Sequence, residues 1–510
     1  MFIPFTLLYA EIHYRFKFLI PKYYQKEPEI ITDIPKRVCR NITDSLPVLI
    51  IIKDSDKFPI YLQEIDVLVQ SDDKKINKSF LIDLDINSNY FSKIFKVKLD
   101  KFTTEQSLKV RITIYFRCNN KNKVIINDNY IGLGKKDYKF YFAEESLPCP
   151  TGWFPGEPHY HSNYTSDQVE FGADVESAKV MAKNLGLKWL FVTDHSYDLD
   201  DKENNYLLKD PLLTKWKTLQ AEIKQADSPD LRIIPGEEVS IGNLKNENVH
   251  LLAINHQDFI PGDGDSAEKW FKNKPSENLS LIKHKHSSDN LFIAAHPSED
   301  VSIFQKITLR RGNWYIKDYQ NSKIRFLQII NCSSLPKIHK NLEYWKSLLL
   351  SGYKFMILAG NDAHGNFNIS RQIKIPFLKL YAASTQIFGN FFTVFKSQKN
   401  EPIKGIKNGK VIISNGPFIN FWLKTAAQKI EIGQTTTPKQ VNFFYEFKTS
   451  PEFGEVRNIN VHVGNLTTKS EKVKNYQNGE LIDLTGQTYL RLSLYTKKGC
   501  MAFTNPIWVD

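Results

Sequence analysis

Cysteine is sparse in this chain, and its placement excludes two classes of protein. The five cysteines stand at 39, 118, 149, 332 and 500. No two fall at a C-x-x-C spacing, so neither a thiolate zinc knot nor a disulfide framework is expected. Long apolar runs are also missing. No stretch reaches the roughly 18 apolar residues of a spanning helix, so no membrane partner is expected. The opening "MFIPFTLLYAEIHYRFKFLI" is broken by Glu11, His13 and Arg15 and has neither a basic start nor a small-residue cleavage site. No signal peptide is therefore expected, and the chain reads as cytoplasmic. Arginine is rare as well: 12 of the 68 basic residues, leaving 56 lysines in a chain of net charge +12. A lysine excess without an arginine-rich motif lends only slight support to a nucleic-acid partner. There is no internal repeat and no low-complexity segment.

What is present is the composition of a soluble globular protein, 41% hydrophobic and 24% charged. At 510 residues it exceeds one ordinary core, so several domains are expected. Residues 1–150 carry short alternating runs ("LPVLIIIKD", "PIYLQEIDVLVQ", "SLKVRITIYFRC", "YKFYFAEE") separated by Asn, Asp and Ser clusters, which predicts an antiparallel, sandwich-like β-domain. From 151 the texture changes to strand-like runs alternating with helical ones. Phe171, Val175, Ala178, Ala182 and Leu185 form one helical stripe ahead of "KWLFVTDH". Further apolar strands follow in "LRIIPGEEVS", "NVHLLAINH", "LFIAAHPS", "IRFLQIINCSS" and "FMILAGNDAHG", with helical candidates at 212–227 and 339–351. Repeated β–α alternation predicts an α/β fold, a parallel sheet or βα-barrel, over 151–416. Short strands return over 417–510 ("VNFFYEFKTS", "NINVHVGN", "YLRLSLYTKKG"), predicting a small C-terminal β-domain.

The histidines are unevenly spread. Ten of twelve lie between 159 and 364, where an even distribution would put about five. In this segment polar residues close the strands: His159 and His161 in "PHYH", His195 in "FVTDH", Glu237 and Glu238 in "IIPGEE", His296 in "IAAHP", Asp362 and His364 in "LAGNDAH". His250, which opens "HLLAINH", is the exception in polarity. Strand alternation puts residues i and i+2 on one face, so His159 and His161 can share a metal, and Asp362 and His364 point the same way. Each motif alone has an ordinary reading. H-x-H can be a polar strand end, His250 a satisfied core histidine, "GNDAHG" a turn with an Asx cap, and Glu237 or Glu238 a solvated strand end. Five strands of one βα run ending in nitrogen and oxygen ligand types is a joint pattern that these separate readings do not produce, and it points to a metal centre. The remaining histidines keep ordinary readings: His284 and His286 as solvated, His256 and His339 away from strand ends, His13 and His462 in flanking domains. Cys332 reads as a buried thiol that could line the pocket.

"HYHSNYTSD", "FVTDHS", "IPGEEVS", "HLLAINH", "AAHPSE" and "GNDAHG", in this order over 151–375, resemble the motifs of the PHP (polymerase and histidinol phosphatase) superfamily. "GIKNGKVIISNGPFI" and the ending "AFTNPIWVD" are similar to its CehA/McbA-type branch. The resemblance implies a distorted (β/α)7 barrel flanked by the two β-domains and holding two or three divalent ions (Zn, Mn or Fe). It also implies a ligand set. His159, His161 and Asp362 would bind a first metal, Glu238 would bridge to a second completed by His250 and His296, and Asp167, His195 and His364 would bind a third. His195, Asp362 and His364 would then also be catalytic. Glu237 lies on the opposite face of its strand and is not carried over, and Asp194 reads as a group orienting a ligand. The sequence departs from the family in Gln168, where Ser-Asp-Gly is common, and in Asn361, where a small residue is common.

Three divalent ions with Asp167, Glu238, Asp362 and a bridging hydroxide leave a surplus of about +2, which favours an anionic substrate. The expected function is thus a metal-dependent phosphoesterase acting on a small phosphorylated substrate. Arg371, Arg310 and Arg311 are candidate phosphate clamps beside the ordinary reading of surface arginines. The alternatives are a carbamate, ester or amide hydrolase, and a β-domain binding protein with a vestigial barrel.

Overall fold

The computed structural model describes residues 27–130, 133, 135–165, 172–203, 205–262, 264, 273–331, 334–374 and 379–510. His13, Asp167, Gln168 and Cys332 lie outside the described residues. The chain divides into two compact units: one of 1–146, 161–186 and 363–388, the other of 147–160, 187–362 and 389–510.

The first unit is built on strands β1 (Glu29–Asp33), β2 (Arg37–Cys39), β3 (Ser45–Lys53), β4 (Ile60–Gln70), β5 (Lys75–Ile86), β6 (Tyr90–Lys98), β7 (Gln106–Cys118), β8 (Lys121–Ile126) and β9 (Tyr138–Ala143). They form a three-stranded sheet, β1-β3-β6, and a six-stranded one, β2-β9-β7-β4-β5 with β8 on β7. All pairs are antiparallel except β2 with β9. Both sheets feed one core. In β7 it takes Leu108, Val110, Ile112, Ile114, Phe116 and Cys118, a strict period of two. In β4 the buried set changes parity from Ile60 and Leu62 to Ile65, Val67 and Val69, because a register shift between Leu62 and Glu64 inserts one residue. Helix α1 (Val175–Leu185), capped by Asp174 and closed by left-handed Gly186, belongs to this unit and packs on β2, β3 and β6.

The second unit contains β10 (Trp153–His161, whose last residue falls in the first unit), β11 (Trp189–Val192), the hairpin β12–β13 (Asp201–Lys202 and Asn205–Lys209), β14 (Arg232–Gly242), β15 (Asn248–Ile254), β16 (Leu291–Ala295), β17 (Phe326–Ile330) and β18 (Met356–Ala359). Helices α2 (Ser196–Leu199), α3 (Thr214–Ala226), α4 (Ile303–Thr308), α5 (Ile316–Ser322) and α6 (Leu335–Leu350) connect them. The strand order is β18-β17-β16-β15-β14-β11-β10, continued by strands of the C-terminal segment from Phe392–Lys396 onward. The fold is therefore mixed α/β and rich in strands. The uniformly parallel sheet expected from β–α alternation gives way at β15, which runs antiparallel to both β14 and β16. Both faces are buried there. Leu251 and Ala253 join one apolar cluster, Leu252 and Ile254 the other. Among the described residues no helix is long and apolar enough to cross a membrane.

Candidate metal centre

Strand pairing places the candidate ligands of the second unit. Glu238 sits within the eleven-residue β14 rather than at its end, so its reading as a strand terminus is corrected. The strand continues past β11, and a bridge joins His195 to Glu238, whose backbone N–H donates to Asp194 O at 3.0 Å. Glu238 is in register with Leu252, and Ser240 with His250. Glu238, Ser240, His250 and Leu252 therefore share one face of the sheet. The reversed direction of β15 also accounts for the polarity of His250: the start of an antiparallel strand lies where its parallel neighbours end.

Two further ligands reach the centre by breaking alternation. A regular continuation of β16 would put His296 on the face of Phe292 and Ala294, but its φ is +31°. Asp362 has φ +51°. Left-handed backbone at non-glycine residues costs about 1–3 kcal/mol and persists where surrounding structure enforces it. Two residues before Asp362 the chain passes close against β10 at Gly360. A Cβ on Gly360 would lie 3.0 Å from His159 Cβ and 3.1 Å from Glu157 Oε1.

The outcome is one buried carboxylate among four imidazoles. Glu238 Oε1 lies 2.6 Å from His250 Nδ1 and 3.1 Å from His296 Nε2, while Oε2 lies 3.3 Å from His159 Nε2 and 3.2 Å from His195 Nδ1. His159 Nε2 is also 3.3 Å from Asp362 Oδ1. Glu238, His250 and His296 offer ligand atoms within 4.8 Å of one another.

The tautomer of His159 tests whether a cation fits. Gly360 O can only accept, so Gln328 Nε2 must face it, at 3.1 Å. Gln328 Oε1 then faces His159 Nδ1 at 2.8 Å and receives its proton. With Nδ1 carrying a proton, a ring in the neutral form that a metal requires would turn the lone pair of Nε2 toward two carboxylate oxygens, where a cation can be held between them. Gln328 Nε2 also donates to Asn331 Oδ1 (3.2 Å), and Asn331 Nδ2 donates to Asp362 Oδ2 (3.2 Å), so one amide chain orients both ligands. The residues present fit a divalent ion bound by nitrogen and oxygen.

Other groups tune the centre. Burial, and then the Arg311 guanidinium, push His250 down to about 4 against the pull of Glu238, which keeps it the neutral ring a metal needs. Burial opposes protonation of His296, but Glu238 on Nε2 and Glu299 on Nδ1 (3.2 Å) outweigh it and hold the ring well above its ordinary range. Glu299 would retain the Nδ1 proton if Nε2 bound a metal. Glu157 accepts from the backbone N–H groups of Asn361 (2.9 Å), His159 (3.2 Å) and Gly389 (3.2 Å) and from Asn361 Nδ2, tying β10 to the turn that carries Asp362. Burial pushes its carboxyl up to about 8 despite these donors.

Glu237 points away from Glu238, to Trp216 Nε1 (2.9 Å), Ser196 Oγ (2.9 Å) and His256 Nε2 (2.9 Å). In the first unit, His161 and His364 stack with ring centroids 4.0 Å apart, and His161 Nδ1 lies 3.2 Å from Thr165 Oγ1. Arg371, the candidate clamp, is engaged within the first unit. Its guanidinium is 4% exposed and donates to Thr32 O (3.1 Å) and Tyr138 Oη (3.0 Å), with Asp128 Oδ2 at 3.7 Å. Arg310 donates to Asn246 O (2.7 Å), whereas partly buried Arg311 meets His250 Nε2.

Gln328, Asn331, Glu157 and Glu299 were missed as site residues. Glu299 carried a signal in standing three residues after His296, and Glu157 in standing two residues before His159 on one strand. Gln328→Leu is expected to lower metal affinity by about 10–100-fold, the usual cost of losing an outer partner, with the fold retained. Titration against a competing chelator measures it, and unchanged affinity would show that the Gln328 contact does not orient His159.

No family model matches the chain, and no curated protein matches it. Among solved structures, a two-domain protein from Bacteroides vulgatus described as containing a PHP-like metal-dependent phosphoesterase aligns at 9% identity and TM-score 0.33, over 71% of this chain and 98% of its own. A β-glucuronidase from Parabacteroides merdae aligns at 9% identity and TM-score 0.21, over 95% and 64%. One from Bacteroides uniformis aligns at 8% and 0.18, over 94% and 61%. These likenesses are too slight to carry an argument about fold or chemistry.

Proposed function

We propose that the protein is a metal-dependent phosphoesterase, with divalent ions held by His159, His195, Glu238, His250, His296 and Asp362. The observation that carries this is Glu238 Oε2 and Asp362 Oδ1 converging on Nε2 of His159, whose Nδ1 is held by Gln328. When bound, such ions supply Lewis acidity and a water-derived nucleophile at neutral pH. The chain's own part is to orient and to exclude. Gln328 and Asn331 fix the directions of His159 and Asp362, Glu157 holds the spacing between their segments, and Glu299 steadies His296. Arg311, carried by the segment paired to the start of β15, adds positive charge near the centre even when it is not against His250, which favours a small phosphorylated substrate over a neutral one. His161, His364 and Asp167 remain proposed ligands, the first two standing two residues beyond His159 and Asp362 in the chain.

The test is metal analysis combined with a panel of phosphomonoesters, phosphodiesters and aryl carbamates, run on wild type and Asp362→Asn. Wild type is expected to hold two or three ions and hydrolyse phosphoesters. Asp362→Asn is expected to lose at least about a hundredfold in turnover without unfolding, since it removes a ligand charge and keeps the shape. Turnover of carbamates alone would move the assignment to carbon chemistry. Bound metal with no turnover on any substrate would favour a binding protein, and full activity in Asp362→Asn would remove Asp362 from the site.

A further inference from the structure

We propose that Arg311 and a divalent ion compete for His250, so that metal enters the Glu238–His250–His296 part of the centre only by displacing the guanidinium. The proposal rests on the metal-centre reading above. It follows from counting protons and lone pairs. Guanidinium has donors only and does not give up its proton at accessible pH. Where Arg311 Nη1 meets His250 Nε2, the imidazole nitrogen must supply the lone pair. A neutral imidazole has one lone pair and one N–H, so the proton sits on Nδ1, which faces Glu238 Oε1 at 2.6 Å. Each ring nitrogen thus has a charged group against it.

A metal needs one of those nitrogens as a lone pair. At Nε2 the guanidinium stands in its way. At Nδ1 the proton must leave, and a neutral ring then carries its proton on Nε2, turned from acceptor to donor against a group that can only donate. Either route dismisses Arg311. Charge works in the same direction, because a monocation and a dication beside one partly desolvated carboxylate repel each other.

The fold keeps this arginine from being a wandering surface group. The segment around it is paired to the start of β15, two residues before His250. Asn248 N donates to Arg310 O at 2.9 Å, and Gly312 N donates to Asn248 O at 2.8 Å. Gly312 is needed for this close approach: a Cβ there would lie 2.4 Å from Glu247 Cβ. The guanidinium is thus delivered by backbone register to His250, near the start of a strand that runs antiparallel to both of its neighbours. Arg311 thereby acts as a positioning residue that sets metal affinity at its own end of the centre. The His159–Asp362 end, which pairs through Gln328 and Asn331, should fill first.

The experiment titrates Zn²⁺ and, separately, Mn²⁺ into chelator-stripped full-length protein against a competing indicator, for wild type, Arg311→Gln and Arg311→Lys, with thermal melts as the check on folding. Arg311→Gln is expected to bind the weaker class of ion about tenfold or more tightly than wild type, and Arg311→Lys, which keeps the charge and a donor, to stay within about threefold. Arg311→Met removes the charge at similar length and serves if Arg311→Gln does not fold. Equal or weaker binding in the neutral variants, with ions bound by wild type, overturns the competition and leaves the metal-centre reading intact. Absence of binding in every variant overturns the metal-centre reading and the proposal with it.

Discussion

Glu238→Gln is expected to lower metal affinity by at least about a hundredfold and to take turnover with it. Even partners outside the ligand shell typically cost 10–100-fold, and Glu238 lies closer than any of them. Its two oxygens meet His159, His195, His250 and His296 between 2.6 and 3.3 Å. Glutamine keeps the volume but replaces one oxygen by a donor and removes the negative charge, so no arrangement of the amide can serve both pairs of imidazoles. The side chain is 1% exposed, so the lost oxygen is not replaced by bulk solvent. Metal content by emission spectroscopy and a thermal melt decide the matter. A folded Glu238→Gln protein that retains its full complement of ions would remove Glu238 from the centre.

The second large effect is on stability and lies away from the centre. Glu471, 6% exposed, accepts from Arg491 Nε (2.9 Å) and Nη2 (2.7 Å) and from Tyr489 Oη (2.8 Å), with His462 Nδ1 at 3.3 Å. Arg491 also lies over the Trp345 ring, 5.0 Å from its centroid, which joins the C-terminal strands to α6. Sequence placed His462 in a flanking domain with an ordinary reading, and this cluster supplies one. Burial acts to raise the Glu471 carboxyl, but His462 and Arg491 outweigh it and hold it at about 2, against an ordinary 4.5. Because the folded value is the depressed one, the stabilisation is complete above pH about 4.5 and is lost as pH falls toward 2, amounting to about 3 kcal/mol. Glu471→Gln leaves Arg491 buried without its counter-charge and is expected to cost about 3–5 kcal/mol at pH 7. That is a fall in Tm of roughly 5–10 °C. The gap between variant and wild type should narrow as pH drops from 4.5. Melts at pH 7, 5 and 3.5 check both statements, and a gap that widens on acidification would show that the carboxylate is not what stabilises this cluster.

How much of this was legible in advance differs between elements. The strands of the first unit could be read from period-two burial, as in β7, because alternation is a local property of extended chain. The β4 bulge could not, since one inserted residue is invisible until the partner strand fixes the register. In the second unit β–α alternation suggested parallel neighbours throughout. Nothing in "NVHLLAINH" itself says that it turns back against "IIPGEEVS", and that reversal is what makes the odd polarity of His250 sensible. Arg371 shows the same limit: its place shortly after "GNDAHG" suggested a clamp, and only packing brought Thr32 and Tyr138 to its guanidinium. The amide chain from Gly360 through Gln328 and Asn331 to Asp362 had no sequence signature either, since glutamine and asparagine are ordinary residues anywhere in a strand or loop.

The sequence by itself determined which side chains were available and how closely they repeat: His159 two residues from His161, Asp362 two from His364, and an Asp-His, a Glu-Glu and a His-Pro at the close of apolar runs. Local spacing sets those relations because covalent geometry and strand pleating act over a few residues. Only the tertiary structure decided which of them meet. His159 and Gln328 are 169 residues apart in the chain and 2.8 Å apart in space, and His296 and Asp362 reach their partners through backbone angles that local preference disfavours. Both depend on pairing between distant strands, whose free energy is shared across the whole sheet and is written in no single motif.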